Sequence, residues 1–173
     1  MISRMMVEGS GWLLAGCMMA DVPHRDLRPI LVIDDTLDDF ETVVEAAHRA
    51  GVSNRIDHAV DAEVAATLLA GAPINTYAFV LLDYNLPGVD GLSFLRSLRS
   101  DPLHGKLPVV VFTASVNPRD RISFHAAGAN AYFVKQLKFD ECLDTLGRIF
   151  DQYLVTGGSS SAREALAMRG RPS

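Results

Sequence analysis

Three aspartates, a threonine and a lysine stand where otherwise apolar runs of this chain end. Asp34 and Asp35 follow PILVI, Asp83 follows AFVLL, Thr113 closes PVVVFT with Ala114 after it, and Lys135 follows AYFV. Singly, each has an ordinary use. Asp83 precedes the Pro87–Gly88 turn, where an Asp side chain commonly accepts backbone N–H groups. Asp35 would serve as the N-cap of the helix-forming TLDDFETVV, Thr113 is a good strand former, and Lys135 would do as a surface charge. Gathered in one place, however, the carboxylates repel one another unless a cation lies among them. A set of hard oxygen ligands completed by water suits Mg²⁺. With that repulsion lowered, the Asp83 carboxylate becomes a nucleophile toward a phosphoryl group, as in other aspartyl-phosphate chemistry. Lys135 and the Thr113 hydroxyl would then serve the phosphoryl oxygens.

Convergence of these residues depends on the elements that carry them. Five short apolar runs, PILVI (29–33), IDHAV (56–60), AFVLL (78–82), PVVVFT (108–113) and AYFV (131–134), alternate with helix-length segments. That pattern predicts parallel strands covered on both faces. Asp57 and His58 mark the second run as an edge strand, with His58 expected in solvent. Leu37, Phe40, Val43, Val44 and Ala47 make a helical stripe that Gly51 stops. In the last helix Phe139, Cys142, Leu143, Leu146, Ile149, Phe150 and Tyr153 form an apolar face, opposite Asp140, Glu141, Asp144, Arg148 and Asp151. Cys142 reads as a small core residue, and Asp61 and Asp90 as N-caps. The fold class is therefore α/β: a three-layer, doubly wound, five-stranded parallel sheet. In such sheets ligands bind beyond the carboxyl ends of the strands at a switch in strand order, which is where all the chemical residues fall.

The pattern Asp34-Asp35, Asp83 within LLDYNLPGVDG, Thr113-Ala114 and Lys135 resembles the receiver domain of bacterial response regulators over about residues 28–154. The resemblance implies a flavodoxin-like strand order of 2-1-3-4-5. It implies Asp83 as the acceptor of a phosphoryl group from a sensor histidine kinase or phosphotransfer protein. Asp35, Asp83 and the main-chain carbonyl of Asn85 would hold Mg²⁺ directly, with Asp34 acting through water. Thr113 and Tyr132 would reorient on phosphorylation and alter a surface made by the fourth helix, fifth strand and fifth helix, the α4-β5-α5 face. Gln136 departs from the family, which has a cis proline there; a cis bond before Gln costs about 3 kcal/mol. The expected alternatives are a trans, differently shaped loop or a strained one. The segment SDPLHGKLPVVVFTAS and the ending IFDQYLV are similar to regulators paired with phytochrome-type kinases.

Composition narrows the rest. A net charge of -5 argues against general nucleic-acid binding, and no apolar run is long enough to span a bilayer. Cys17 and Cys142 lack metal-ligand spacing, and a reducing, cytoplasmic setting is the simplest expectation. LLAGC, residues 13–17, resembles a lipoprotein site but lacks the cationic start and apolar run of a secretion signal. Residues 1–27 are expected to be a disordered extension or a mis-assigned start, and residues 155–173 a flexible Gly-Ser tail. These expectations amount to a stand-alone phosphoacceptor rather than an enzyme, with homodimerisation through the α4-β5-α5 face as one output. A relay intermediate or phosphate sink is the alternative. A haloacid dehalogenase-type phosphatase fits poorly, because Thr36 stands where its second acid belongs.

Overall fold

The computed structural model describes residues 24–156. Strands β1 (Ile30–Ile33), β2 (Ile56–Ala59), β3 (Phe79–Leu82), β4 (Val109–Thr113) and β5 (Ala131–Val134) form one parallel sheet in the order β2-β1-β3-β4-β5. Helices α1 (Leu37–Arg49), α2 (Ala62–Ala70), α3 (Gly91–Ser100), α4 (Pro118–Ala126) and α5 (Phe139–Leu154) connect and follow them. Every residue of β1, β3 and β4 is buried, whereas β2 is half-buried over most of its length. The apolar runs thus sort themselves by position: continuous ones lie centrally, and the polar-interrupted one lies at an edge.

Side chains alternate across the sheet with a period of two. On one face Ile30, Val32, Phe79, Leu81, Val110 and Phe112 pack with Val43, Ala46 and Ala47 of α1 and with Leu143, Leu146, Ile149 and Phe150 of α5. On the other, Leu31, Ile33, Val80, Leu82, Val109 and Val111 pack with Ala65 and Leu69 of α2, with Phe94, Leu95 and Leu98 of α3, and with Phe124 of α4. Cys142 lies buried in the first cluster, as its place on the apolar face predicts. Asp61 accepts from Val64 N at 2.7 Å and Asp90 from Ser93 N at 2.9 Å, so both are N-caps.

Several sequence expectations need correction. The N-cap of α1 is Thr36, without a side-chain bond, so Asp35 does not cap that helix. Leu37 and Val44 are 60% and 42% exposed, on the flank of their helical stripe, and Phe139 is 52% exposed as the first residue of α5. His58 is not simply solvated: its Nε2 lies 2.8 Å from the carbonyl oxygen of Asp34, and its ring stacks on Phe40 at 4.1 Å. Asp57 accepts from the Tyr77 hydroxyl at 2.9 Å, so the polar edge strand is tied inward. A clasp of two-residue strands, His24–Arg25 antiparallel to Val155–Thr156, was not anticipated. Arg25 extends it by donating to the carbonyls of Ala50 and Gly51 at 3.1 Å. The LLAGC segment and the Gly-Ser tail lie outside the described residues.

Candidate functional site

Strand register brings the separated acids together. Ile33 pairs with Leu82, so Asp34 and Asp83 leave β1 and β3 side by side. Asp83 N donates to Ile33 O at 2.9 Å, and Asp34 N to Ala59 O at 3.0 Å. Thr113 pairs with Val134, and Lys135 N continues that ladder to Thr113 O at 2.8 Å. After Asp83 the chain must turn at once into α3, and Gly88 takes φ +75, a conformation suited to glycine. Gly91 N then donates to Tyr84 O at 2.9 Å, and a Cβ on Gly91 would fall on the carbonyl oxygen of Asp83. The first residue of α3 is therefore pressed directly against the backbone of the acid.

Asp34 and Asp83 are buried and Asp35 is exposed, yet one carboxylate oxygen from each lies within 4.8 Å of the others. Lys135 Nζ donates to Asp34 Oδ2 at 2.7 Å and to Asp39 Oδ2 at 2.8 Å. It is 3.7 Å from Asp83 Oδ1, outside hydrogen-bonding range. Asp83 Oδ2 accepts from Asn85 N at 3.2 Å, while Oδ1 is buried with no hydrogen-bond partner. Burial raises the Asp34 carboxyl above its ordinary value, against the opposing pull of Lys135. Burial alone would depress the Lys135 ammonium; its pairs with Asp34, Asp39 and Asp83 outweigh this and hold it up to about 12. Lys135 is thus charged across the neutral range, and it is not the surface charge it resembles in isolation. An all-oxygen acidic cluster with a bare buried oxygen fits a hard divalent cation, which would supply the missing partner.

Thr113 is fully buried, and its Oγ1 lies 3.4 Å from Ser115 N. The Tyr132 hydroxyl donates to Ser115 O at 3.0 Å, and its ring packs inward against Phe124. Ser115 Oγ also donates to Asp120 of α4 at 2.5 Å, which ties the β4–α4 loop to that helix. Ala114, the next residue after Thr113, is exposed. No peptide bond among the described residues is cis, so the Lys135–Gln136 bond is trans, and Gln136 Nε2 donates to Val134 O at 3.2 Å. Asp39 was missed by sequence reasoning. An acid in a first helical turn is already explained by the helix dipole, and only the tertiary pairing reveals a second role.

Residues 30–147 match the family described as "Response regulator receiver domain". The chain belongs to that family. Among its relatives, the Myxococcus xanthus gliding motility regulatory protein is 31% identical over 117 residues, covering 68% of this chain and 14% of that protein. The chain therefore spans only a small part of that relative's length. The chemotaxis protein CheY-3 of Vibrio cholerae is 28% identical over 134 residues, covering 78% of this chain and 99% of that protein. Among solved structures, the Mn²⁺-bound response regulator Rcp1 is similar with TM-score 0.69 and 26% identity over 76% of this chain and 97% of that one. The phosphorylated cyanobacterial phytochrome response regulator RcpA gives TM-score 0.69 and 26% identity over 78% of this chain and 97% of that one. The receiver chain thus has the strand order expected of it, and phytochrome-associated regulators are among its structural neighbours. Among the described residues no helix is long and apolar enough to cross a membrane.

Proposed function

We propose that this receiver domain, taken as residues 28–154, is a phosphoacceptor switch that takes a phosphoryl group on Asp83 from a histidine kinase or phosphotransfer protein. The observation that carries the reading is the Asp83 side chain: buried at a strand tip, with one oxygen that accepts no hydrogen bond, beside two acids and a lysine. Mn²⁺ in Rcp1 and the phosphorylated state of RcpA support it by similarity. Asp35, Asp83 and the Asn85 carbonyl would hold Mg²⁺, with Asp34 acting through water. The bound ion would offset the carboxylate charge that otherwise repels a phosphoryl donor.

In the transfer, the bond from phosphorus to the donor's imidazole nitrogen breaks, its electron pair stays on the ring, and that nitrogen takes a proton from water to leave as neutral imidazole. A bond forms from phosphorus to an Asp83 carboxylate oxygen, which enters already ionised, so no group of this chain need give up a proton. Lys135 pairs with the new phosphoryl oxygens, and the Thr113 hydroxyl beside Ala114 donates to another. Drawing Thr113 toward the phosphoryl group disturbs the loop whose Ser115 carbonyl holds the Tyr132 hydroxyl. Release of Tyr132 would change the α4-β5-α5 face, where Ile122 of α4 is already 67% exposed. The output is a protein contact there, to a partner or a second copy. On α5, Asp140 and Asp151 pair with Arg49 and Arg25 at 3.6 and 3.5 Å.

The test is incubation with a small phosphodonor and Mg²⁺, read by intact mass. Wild-type protein gains one phosphoryl group and Asp83→Asn gains none. Undiminished labelling of Asp83→Asn overturns the assignment.

A further inference from the structure

Lys135 has two anionic partners at bonding distance, and only one of them belongs to the acid cluster. Asp34 is the cluster member. Asp39 lies on the first turn of α1, outside the cluster of Asp34, Asp35 and Asp83. Those two bonds draw the ammonium to 2.7 and 2.8 Å from Asp34 and Asp39 and leave it 3.7 Å from Asp83. An ammonium has three donors, and two are committed away from the oxygen that would carry a phosphoryl group. We infer that Asp39 is a positioning residue that acts through Lys135, holding its ammonium back from Asp83 and competing with the phosphoryl group for it. The inference rests on the phosphoacceptor reading above and adds a residue to it.

The neighbouring acid makes the assignment specific. Asp38 occupies the same first turn and carries the same charge, so it shares any general effect of α1 acidity on an incoming anion. The bonds made by Lys135 include Asp39 and not Asp38. The Asp39 side chain is 41% exposed, so its hold on Lys135 is moderate rather than locked. An anchor of this kind can be displaced by a doubly charged phosphoryl group while still weakening the pairing that replaces it.

Titration with beryllofluoride in saturating Mg²⁺, followed by amide chemical shifts, tests this. Asp39→Ala is expected to bind the phosphoryl mimic about threefold to fivefold more tightly than Asp38→Ala, the range of one partly exposed ion pair. Asp39→Glu, which retains the charge, is expected to return toward wild type. In a Lys135→Met background the difference between Asp39→Ala and Asp38→Ala disappears, because the anchor has nothing to hold. Thermal unfolding confirms that each variant is folded, and Lys135→Gln replaces Lys135→Met should the latter fail. Equal affinities for Asp38→Ala and Asp39→Ala, weaker binding by Asp39→Ala, or a difference that persists without Lys135 each overturn the inference alone. Wild-type protein that binds no beryllofluoride overturns the phosphoacceptor reading and this inference with it.

Discussion

At Asp83 two demands meet in one side chain. Its buried carboxylate needs partners, yet Asp34 and Asp35 crowd it with like charge and Asn85 N satisfies only one oxygen. The cluster is therefore poised for a cation, and its members differ in what they can give. Asp34 is buried and already bonded to Lys135 and Thr36 N, whereas Asp35 is exposed and uncommitted to capping. Asp35→Ala is expected to abolish the Mg²⁺ response, and Asp34→Ala to weaken it by about tenfold, the scale of losing an outer partner. Mg²⁺ titrations of the two variants check this, and equal losses would contradict the division of roles. Tyr77 reports on the fold rather than the site. Burial and the bond to Asp57 hold the Tyr77 hydroxyl up to about 12, from an ordinary 10.0. An unfolded tyrosine loses its proton first, so this contribution is complete below about pH 10 and is lost as pH rises toward about 12. Denaturant midpoints measured from pH 9 upward are expected to fall more steeply for wild type than for Tyr77→Phe. Parallel curves would show that the bond does not matter.

Among the elements, the central strands were legible because β-branched apolar runs have few other uses, and the observed β1, β3 and β4 start one residue inside the runs read from the sequence. The site acids followed directly, since strand ends in a parallel sheet share an edge. What the sequence hid was chosen by tertiary contact. An apolar stripe does not say which flank or terminal residue its neighbours reach, so Leu37 and Val44 at a flank and Phe139 at a helix start stand exposed. The two-residue clasp has too little length to show a period. His58 and Asp39 each had a sufficient local explanation that concealed a bond across the fold. Gly91 was likewise unremarked, although its lack of a side chain lets α3 begin against Asp83. Gly91→Ala is expected to cost about 3 kcal/mol, by forcing the backbone apart where nothing flexible can yield. Chemical denaturation measures this, and a loss below about 0.5 kcal/mol, the scale of an ordinary surface change, would contradict the close approach.

The whole molecule distributes stability unevenly around the site. β1, β3 and β4 are wholly buried, whereas α4 contributes only Phe124 to the core and is tied to the pocket side through Asp120 and Ser115. An element with few buried anchors is the one a pocket event can move. Amide exchange with and without beryllofluoride is expected to change across residues 118–153 and to leave β1 and β3 unchanged. Unaltered exchange over 118–153 would remove the α4-β5-α5 face as the output and favour a relay or phosphate-sink role. All of this presupposes a covalent event at one carboxylate. The most direct measurement is to treat the protein with a phosphodonor and Mg²⁺, trap the acyl phosphate by borohydride reduction, and map the product by peptide mass spectrometry. Reduction of an aspartyl phosphate leaves homoserine, and the account predicts it at position 83 alone. Homoserine at Asp34, Asp35 or Asp39, or none anywhere while phosphate is retained on another residue type, would contradict it.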